Sequence, residues 1–283
     1  MLYNLFHWID KTFNFPGAGI FQYISFRMAM ATLLSLFLSM IIGKYAIRFL
    51  QKKQIGESIR NLGLAGQMEK KGTPTMGGII ILSSILISVL LFNNLNNIYI
   101  LIMIFTTVWL GILGFIDDYI KVFKKNKQGM SSKMKLIGQS ILGLIVALVL
   151  FFHPDVVIKE KNETTSYVQK ESVFQVENNS KQGVNTYESV ESVKSTKTTI
   201  PFFKNNEFNY AFLLKWMGDG YEKWAWIIYI PIIIFIIVAV SNGMNLTDGL
   251  DGLAISSTAI IGATLGILAY VSGNTIFADY LNI

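Results

Sequence analysis

Residues 98–116 read IYILIMIFTTVWLGILGFI, an uncharged run of 19 residues that stops at Asp117 and Asp118. A helix needs about 20 mainly apolar residues to cross the hydrocarbon core of a bilayer. Working outward, further runs of this kind lie at about Phe21–Ile42, Gly77–Phe92, Leu136–Phe152, Trp224–Val240 and Ala254–Val271. The chain is 52% hydrophobic and 15% charged, against roughly 25% charged in soluble domains. These runs predict an all-α fold: a polytopic integral membrane helix bundle with about six transmembrane helices and a long polar outer loop. A soluble helical core with so many uninterrupted runs would be unusual. Arg27 lies close enough to the start of the first run to snorkel toward the interface.

Residues 1–20 mix His7, Asp10 and Lys11 with aromatics and lack the basic start and compact apolar stretch of a cleaved signal. An amphipathic or re-entrant lead-in is expected there. The absence of cysteine excludes disulfides, thiolate zinc sites and a cysteine nucleophile. With His7 and His153 as its only histidines, the chain holds no histidine-rich metal site.

Loop charge sets the expected orientation. Lys44, Arg48, Lys52, Lys53, Arg60, Lys70 and Lys71 separate the first two runs, and Lys121, Lys124, Lys125, Lys127, Lys133 and Lys135 separate the third and fourth. The short connection Asn93–Asn97 carries no charge. Lysine and arginine are retained on the cytoplasmic side, so the basic loops face the cytoplasm and both ends of the chain face outside. Three regions follow: 1–152, an N-terminal membrane region of four helices with two basic cytoplasmic loops; 153–223, a long periplasmic insertion, partly disordered; and 224–283, two helices with an Asn/Asp-rich cytoplasmic motif. Within the insertion, Glu160–Thr199 is polar and expected to be mobile, with alternation around Tyr167–Val176 that could pair as a hairpin. Trp216, Tyr221, Trp224, Trp226 and Tyr229 fit an interfacial aromatic belt. Gly111-x-x-Gly114 and Gly262-x-x-x-Gly266 allow close helix packing.

Three segments carry chemistry, all on the expected cytoplasmic face. Lys70-Lys71-Gly72-Thr73-Pro74-Thr75-Met76-Gly77-Gly78 offers lysines, hydroxyls and a helix start, the parts of a phosphate cradle. A plain basic anchor with a threonine cap is the other reading. Asp117-Asp118 ends an apolar helix, where the dipole disfavours negative charge and the membrane penalises it unless it is solvated, paired or bound to a cation. A divalent cation would offset that conflict, as would a solvated helix end. Asn242, Asn245, Asp248 and Asp251 recur every third residue along one side of a helix or helical turn, with glycines that let a ligand approach. An ordinary polar turn needs no such row. Together the segments supply carboxylates for a hard cation and lysines for phosphates at a membrane surface. Magnesium characteristically bridges one or two carboxylates and substrate phosphates. The chemistry implied is phosphoryl transfer with one lipid-soluble reactant.

Lys70–Gly78, Gly114–Lys121 and Asn242–Gly252 closely resemble the signatures of the phospho-N-acetylmuramoyl-pentapeptide transferases, within the polyprenyl-phosphate N-acetylhexosamine-1-phosphate transferases. The resemblance covers most of the chain outside the insertion. It implies a magnesium-dependent enzyme of the bacterial inner membrane, its active site facing the cytoplasm. The enzyme would move phospho-MurNAc-pentapeptide from UDP-MurNAc-pentapeptide to undecaprenyl phosphate, giving lipid I and UMP for peptidoglycan. It further implies catalytic roles for Asp117, Asp118 and Asp251, with Asp117 and Asp118 near the metal. Whether Asp117 is a base or chiefly positions charge stays open. Asn242, Asn245 and Asp248 match the polar signature lining the nucleotide cleft, and Lys70, Thr75, Lys121 and Lys133 match positions for the nucleotide and phosphates. Contact with membrane lipid follows, and a homodimer is suggested. Members of the family continue with further helices, another signature aspartate and a histidine-rich motif, whereas this sequence stops at Ile283. A C-terminally truncated sequence is therefore expected, its activity as given in question.

The nearest competitor is a sister transferase that moves GlcNAc-1-phosphate to a polyprenyl phosphate, against which Lys70–Gly78 argues. A CDP-alcohol phosphotransferase would want Ala-Arg where Ile255 and Ser256 stand. A channel would want ionisable groups at mid-membrane depth, while these acids lie at helix ends. A non-catalytic, truncated scaffold would bind no nucleotide. The +6 net charge is absorbed by anchors and phosphate ligands, which leaves no basic element for nucleic acid.

Overall fold

Each apolar run becomes a helix in the computed structural model of the chain, which describes residues 1–52, 76–124, 126, 128–161, 190–199, 207–218, 220–248, 252–273 and 277. The helices are α1 (Leu2–Phe13), α2 (Ile24–Lys52), α3 (Gly78–Phe92), α4 (Ile98–Phe123), α5 (Ser132–Phe152), α6 (Trp226–Thr247) and α7 (Leu253–Ser272). The chain divides into two compact units, Met1–Val146 and Ala147–Ile283.

In the first unit α1 is the lead-in. It ends at Asn14, whose φ of 47° is left-handed and whose N–H returns to Asp10 O at 3.0 Å. A short 3-10 helix, Ala18–Gln22, then carries Phe21 onto Phe6, with ring centroids 3.8 Å apart, and toward Phe92 at the end of α3. At the opposite end of the unit Leu50, Met76 and Val122 pack together. The end of α2, the start of α3 and the end of α4 therefore meet at one end of the unit, and α2 and α3 run antiparallel.

Small residues let these helices approach. Gly43 of α2 faces Ile80 of α3, and Gly111 of α4 receives Leu82 of α3. Ser84 and Ser88 are buried in α3, and each hydroxyl donates to a carbonyl one turn earlier, Ile80 O at 2.8 Å and Ser84 O at 2.9 Å. Both buried hydroxyls have an acceptor, so the serines act as small packing residues. Between α4 and α5, Trp109 Nε1 donates to Gly138 O at 3.0 Å, and Leu113 covers Gly138. Of the two glycine pairs expected at helix contacts, Gly111 is so used, while Gly114, Gly262 and Gly266 have open space where a Cβ would stand.

Among the described residues five helices are long and apolar enough to cross a membrane, and the short run Gly77–Phe92 gives the 15-residue α3, roughly 22 Å at 1.5 Å per residue. One expectation changes. The run that begins at Ile98 does not end at Ile116 but continues as helix to Phe123. Tyr119, Ile120, Val122 and Phe123 extend its apolar pattern, and Asp117 gains an i+4 partner in Lys121. The acidic pair therefore lies within the final two turns of α4.

In the second unit the polar segment contributes two antiparallel pairs: β1 (Ile158–Lys161) with β2 (Val190–Val193), and β3 (Lys197–Thr199) with β4 (Glu207–Asn209). Residues 167–176, read as a candidate hairpin, lie outside the described residues. Lys194 donates to Phe151 O and Phe152 O at 3.4 and 3.1 Å, which satisfies carbonyls left open at the end of α5. Buried Tyr210 meets Phe208 and Tyr229 edge-on, and Tyr229 packs on Phe151.

Trp109→Phe should remove the indole donor to Gly138 O, for a loss of about 1 kcal/mol. Gly138→Leu should cost about 1–3 kcal/mol by overpacking against Leu113. Thermal unfolding in detergent measures both, and equal melting of Gly138→Leu and wild type would refute the close α4–α5 approach.

Candidate functional site

The chemistry-bearing residues of the first unit gather where α4 ends and α5 begins. Asp117 is buried, at 8% exposure, and accepts from three donors. Lys121 Nζ lies 2.6 Å from Oδ2, one helical turn along α4. Lys135 Nζ, from the first turn of α5, lies 3.0 Å from Oδ1. The backbone N–H of Met130 donates to Oδ1 at 2.8 Å. Asp118 is half-exposed, its Oδ1 3.8 Å from Lys121 Nζ. The helix end therefore brings together two carboxylates and two ammonium groups, so its formal charge is balanced locally. That balance is needed because the helix dipole and the apolar surroundings both disfavour bare carboxylates there.

The connection from α4 to α5 is shaped by the same carboxylate. Gln128 N–H donates to Asn126 Oδ1 at 3.1 Å and Gly129 N–H to Asn126 O at 3.0 Å, which closes a turn. Gly129 takes φ +69°, and a Cβ there would overlap Asp117 Oδ1 and lie 2.8 Å from Lys121 Cε. Glycine fits because it has no Cβ and tolerates the left-handed region.

Of the residues singled out from sequence, Asp117, Asp118 and Lys121 come together. Lys133 is exposed on the first turn of α5, and Lys135 is the lysine that reaches Asp117. Sequence reasoning counted Lys135 as a loop charge and did not single out Gly129. The signal for Lys135 was its helical phase: two residues on from Lys133, it points about 200° away. Lys70 and Thr75 lie outside the described residues. Met76, from the same motif, is buried at φ +70° against Leu50 and Val122, one residue from Lys121.

In the second unit α6 carries the amide and carboxylate row. Asn242 is half-buried and donates through Nδ2 to Val238 O at 2.9 Å. Asn245 is exposed one turn later, and exposed Asp248 caps the helix with its N–H on Met244 O at 3.2 Å. Asp251 lies outside the described residues, and Gly252, at φ +82°, opens α7. Asn242 and Asn245 thus have the one-turn spacing of a shared helix side.

Among the described residues no three acidic or histidine side chains gather as a metal cage. Magnesium asks for less, often one or two carboxylates with substrate phosphates and water. The donor set fits such a cation through Asp118; both oxygens of Asp117 are already engaged by lysines and an N–H.

The chain is similar to known proteins over its whole length. Residues 70–82 match phospho-N-acetylmuramoyl-pentapeptide-transferase signature 1, and residues 190–282 match glycosyl transferase family 4. A phospho-N-acetylmuramoyl-pentapeptide-transferase of Flavobacterium psychrophilum is 56% identical over 286 residues, covering 100% of this chain and 67% of its own length. Its namesake from Parabacteroides distasonis is 58% identical over 283 residues, with 64% of its own length covered. A third, from Porphyromonas gingivalis, is 50% identical over 283 residues. The chain thus spans about two thirds of the length of these curated relatives.

Lys135→Met should lower stability by roughly 1.5–3 kcal/mol, the worth of a charged hydrogen bond to a buried group. Lys133→Met should stay within about 0.5 kcal/mol of wild type, as an exposed substitution does. Thermal unfolding compares them, and equal losses would contradict the assignment of Lys135 to Asp117.

Proposed function

Since the chain belongs to the phospho-N-acetylmuramoyl-pentapeptide-transferase family, we propose that it forms part of an enzyme making lipid I. An oxygen of undecaprenyl phosphate attacks the sugar-linked phosphorus of UDP-MurNAc-pentapeptide. The bond from that phosphorus to the UMP oxygen breaks, so the products are the lipid-linked sugar diphosphate and UMP. No proton acceptor of high basicity is required, because a phosphate monoester is already an oxygen nucleophile near neutral pH. The site's work is to align phosphates and balance charge.

The observation that carries this reading is the ion cluster at the end of α4, two carboxylates with two lysines, in a chain whose residues 70–82 carry the transferase signature. Magnesium, bound with Asp118 and the donor phosphates, would supply charge neutralisation for the leaving UMP. Lys121 and Lys70 are assigned to phosphate oxygens, and Asn242, Asn245, Asp248 and Asp251 to the nucleotide cleft. Thr75 and Lys133 complete the proposed substrate contacts. The signature match favours the muramoyl donor over a GlcNAc-1-phosphate donor.

The same proposal places the lysine-rich connections in the cytoplasm and the protein in the inner membrane, on the charge rule. The cysteine-free chain suits a labelling test. A cysteine at Asn96 should react with an impermeant maleimide in intact spheroplasts, and one at Ser131 only after permeabilisation. The reverse pattern would overturn the orientation.

Turnover is tested with UDP-MurNAc-pentapeptide, undecaprenyl phosphate and magnesium, using this chain and its full genomic reading frame. Magnesium-dependent lipid I and UMP are expected from the full frame, with Asp118→Asn slower by at least about a hundredfold, equivalent to roughly 2.7 kcal/mol of barrier. Turnover of UDP-GlcNAc alone would select the sister activity. No turnover and no nucleotide binding by a folded protein would leave a scaffold.

A further inference from the structure

The 12-residue helix α1 has three unlike sides. Leu2, Tyr3, Phe6, Ile9 and Asp10 are half-buried against the chain. Asn4, His7 and Lys11, spaced i, i+3 and i+7, form an exposed polar stripe. Leu5 and Trp8 form an exposed apolar stripe beside it, and Phe13 at the helix end meets Trp8 edge-on, ring centroids 5.7 Å apart. These three apolar side chains are 49%, 56% and 67% exposed, so the described residues leave them largely uncovered.

The half-buried side is locked at three points along α1. Tyr3 lies under Arg27, whose Cζ stands 4.6 Å from the ring centroid. Phe6 stacks on Phe21, which in turn stacks toward Phe92. Asp10 Oδ2 accepts from Gln22 Nε2 at 3.0 Å. Rotation of α1 about its own axis is thereby fixed, and so is its height. Arg27 stands in the first turn of α2, takes no part in the ion pairs among the described residues, and buries an Nε with no hydrogen-bond partner. A cation at the start of a membrane helix belongs at the polar boundary of the bilayer, where an aromatic face and snorkelling can meet its charge. Tyr3 therefore sets α1 at that boundary, where α2 begins and α3 ends, at the end of the unit opposite the Asp117 cluster. At about 18 Å, α1 is too short to cross roughly 30 Å of hydrocarbon.

We propose that α1 lies flat in the interfacial layer of the membrane and that its Leu5, Trp8 and Phe13 surface is a phospholipid contact. The apolar stripe sits among the upper acyl segments, while Asn4, His7 and Lys11 sit among headgroups and water, with the Lys11 ammonium at the level of the lipid phosphates. The exposed apolar area favours lipid over a second copy of the chain. Three partly covered side chains fall short of the about 800 Å² that each partner of a stable protein interface buries. This inference is independent of the phosphoryl-transfer reading above.

The test uses the full-length protein in nanodiscs of phosphatidylethanolamine and phosphatidylglycerol, with any cysteine beyond this chain replaced by serine. A nitroxide is attached in turn to Asn4→Cys, Leu5→Cys, Trp8→Cys and Lys11→Cys. Electron paramagnetic resonance compares relaxation by oxygen, which concentrates in lipid, with relaxation by a water-soluble nickel chelate. The labels at 5 and 8 should favour oxygen and lie at least about 5 Å deeper than those at 4 and 11, which should favour nickel. Nickel access at all four positions would overturn the proposal and stand α1 in water. Depth that changes steadily from 4 to 11, without regard to helix side, would overturn it in favour of end-on insertion. Labels at 5 and 8 that are shielded from both reagents, with dipolar broadening between copies, would replace lipid by a second copy. Should Trp8→Cys fail to fold, the neighbours Asn4 and Leu5, about 100° apart on the helix, give the same comparison.

Discussion

A carboxylate buried at the end of an apolar helix is the constraint on which the first unit turns. Asp117 sits where the α4 dipole is negative and bulk water is largely excluded. Left alone, its charge would be costly. The chain answers with one lysine a turn away, a second from the following helix, and an N–H from the connection between them. The last two are non-local, so the α4–α5 connection can take only a path that delivers both. Farther along the same helix pair, Trp109 and Leu113 meet Gly138 and hold the helices at the spacing that lets Lys135 reach back.

The rest of the unit supports that end of α4 by packing. Met76 and Leu50 close over Val122, which places the start of α3 and the end of α2 beside the ion cluster. In a membrane, apolar side chains gain little by leaving lipid for one another, so close backbone approach and satisfied polar groups carry more of the association. Gly43, Gly111, Ser84 and Ser88 are the residues that permit it here. In the second unit Lys194 and Tyr210 do a related task, satisfying the end of α5 and filling the space beside α6.

The cluster also reframes what an acidic pair is for. Sequence alone left a divalent cation or a solvated helix end to answer the unfavourable charge there. The structure offsets it with ammonium groups supplied by the chain. The charge conflict at this helix end is thus met within the chain.

What the sequence determined by itself was local. Uncharged runs specified membrane helices, because a single hydrophobic stretch decides whether a segment can leave water. The four-residue spacing of Asp117 and Lys121 stood in the sequence, but it became an ion pair only because the helix continues past Asp118. The Asn242 and Asn245 spacing and the transferase motifs were likewise legible. Only the tertiary structure decided that the apolar run from Ile98 carries on as helix through the acidic pair, and that strands pair within the polar segment. It alone distinguished Lys135 from Lys133, and it alone showed why residue 129 is glycine. Those outcomes depend on which helix faces which and at what height. That register is set by contacts between residues distant in sequence, and no periodicity within one segment records it.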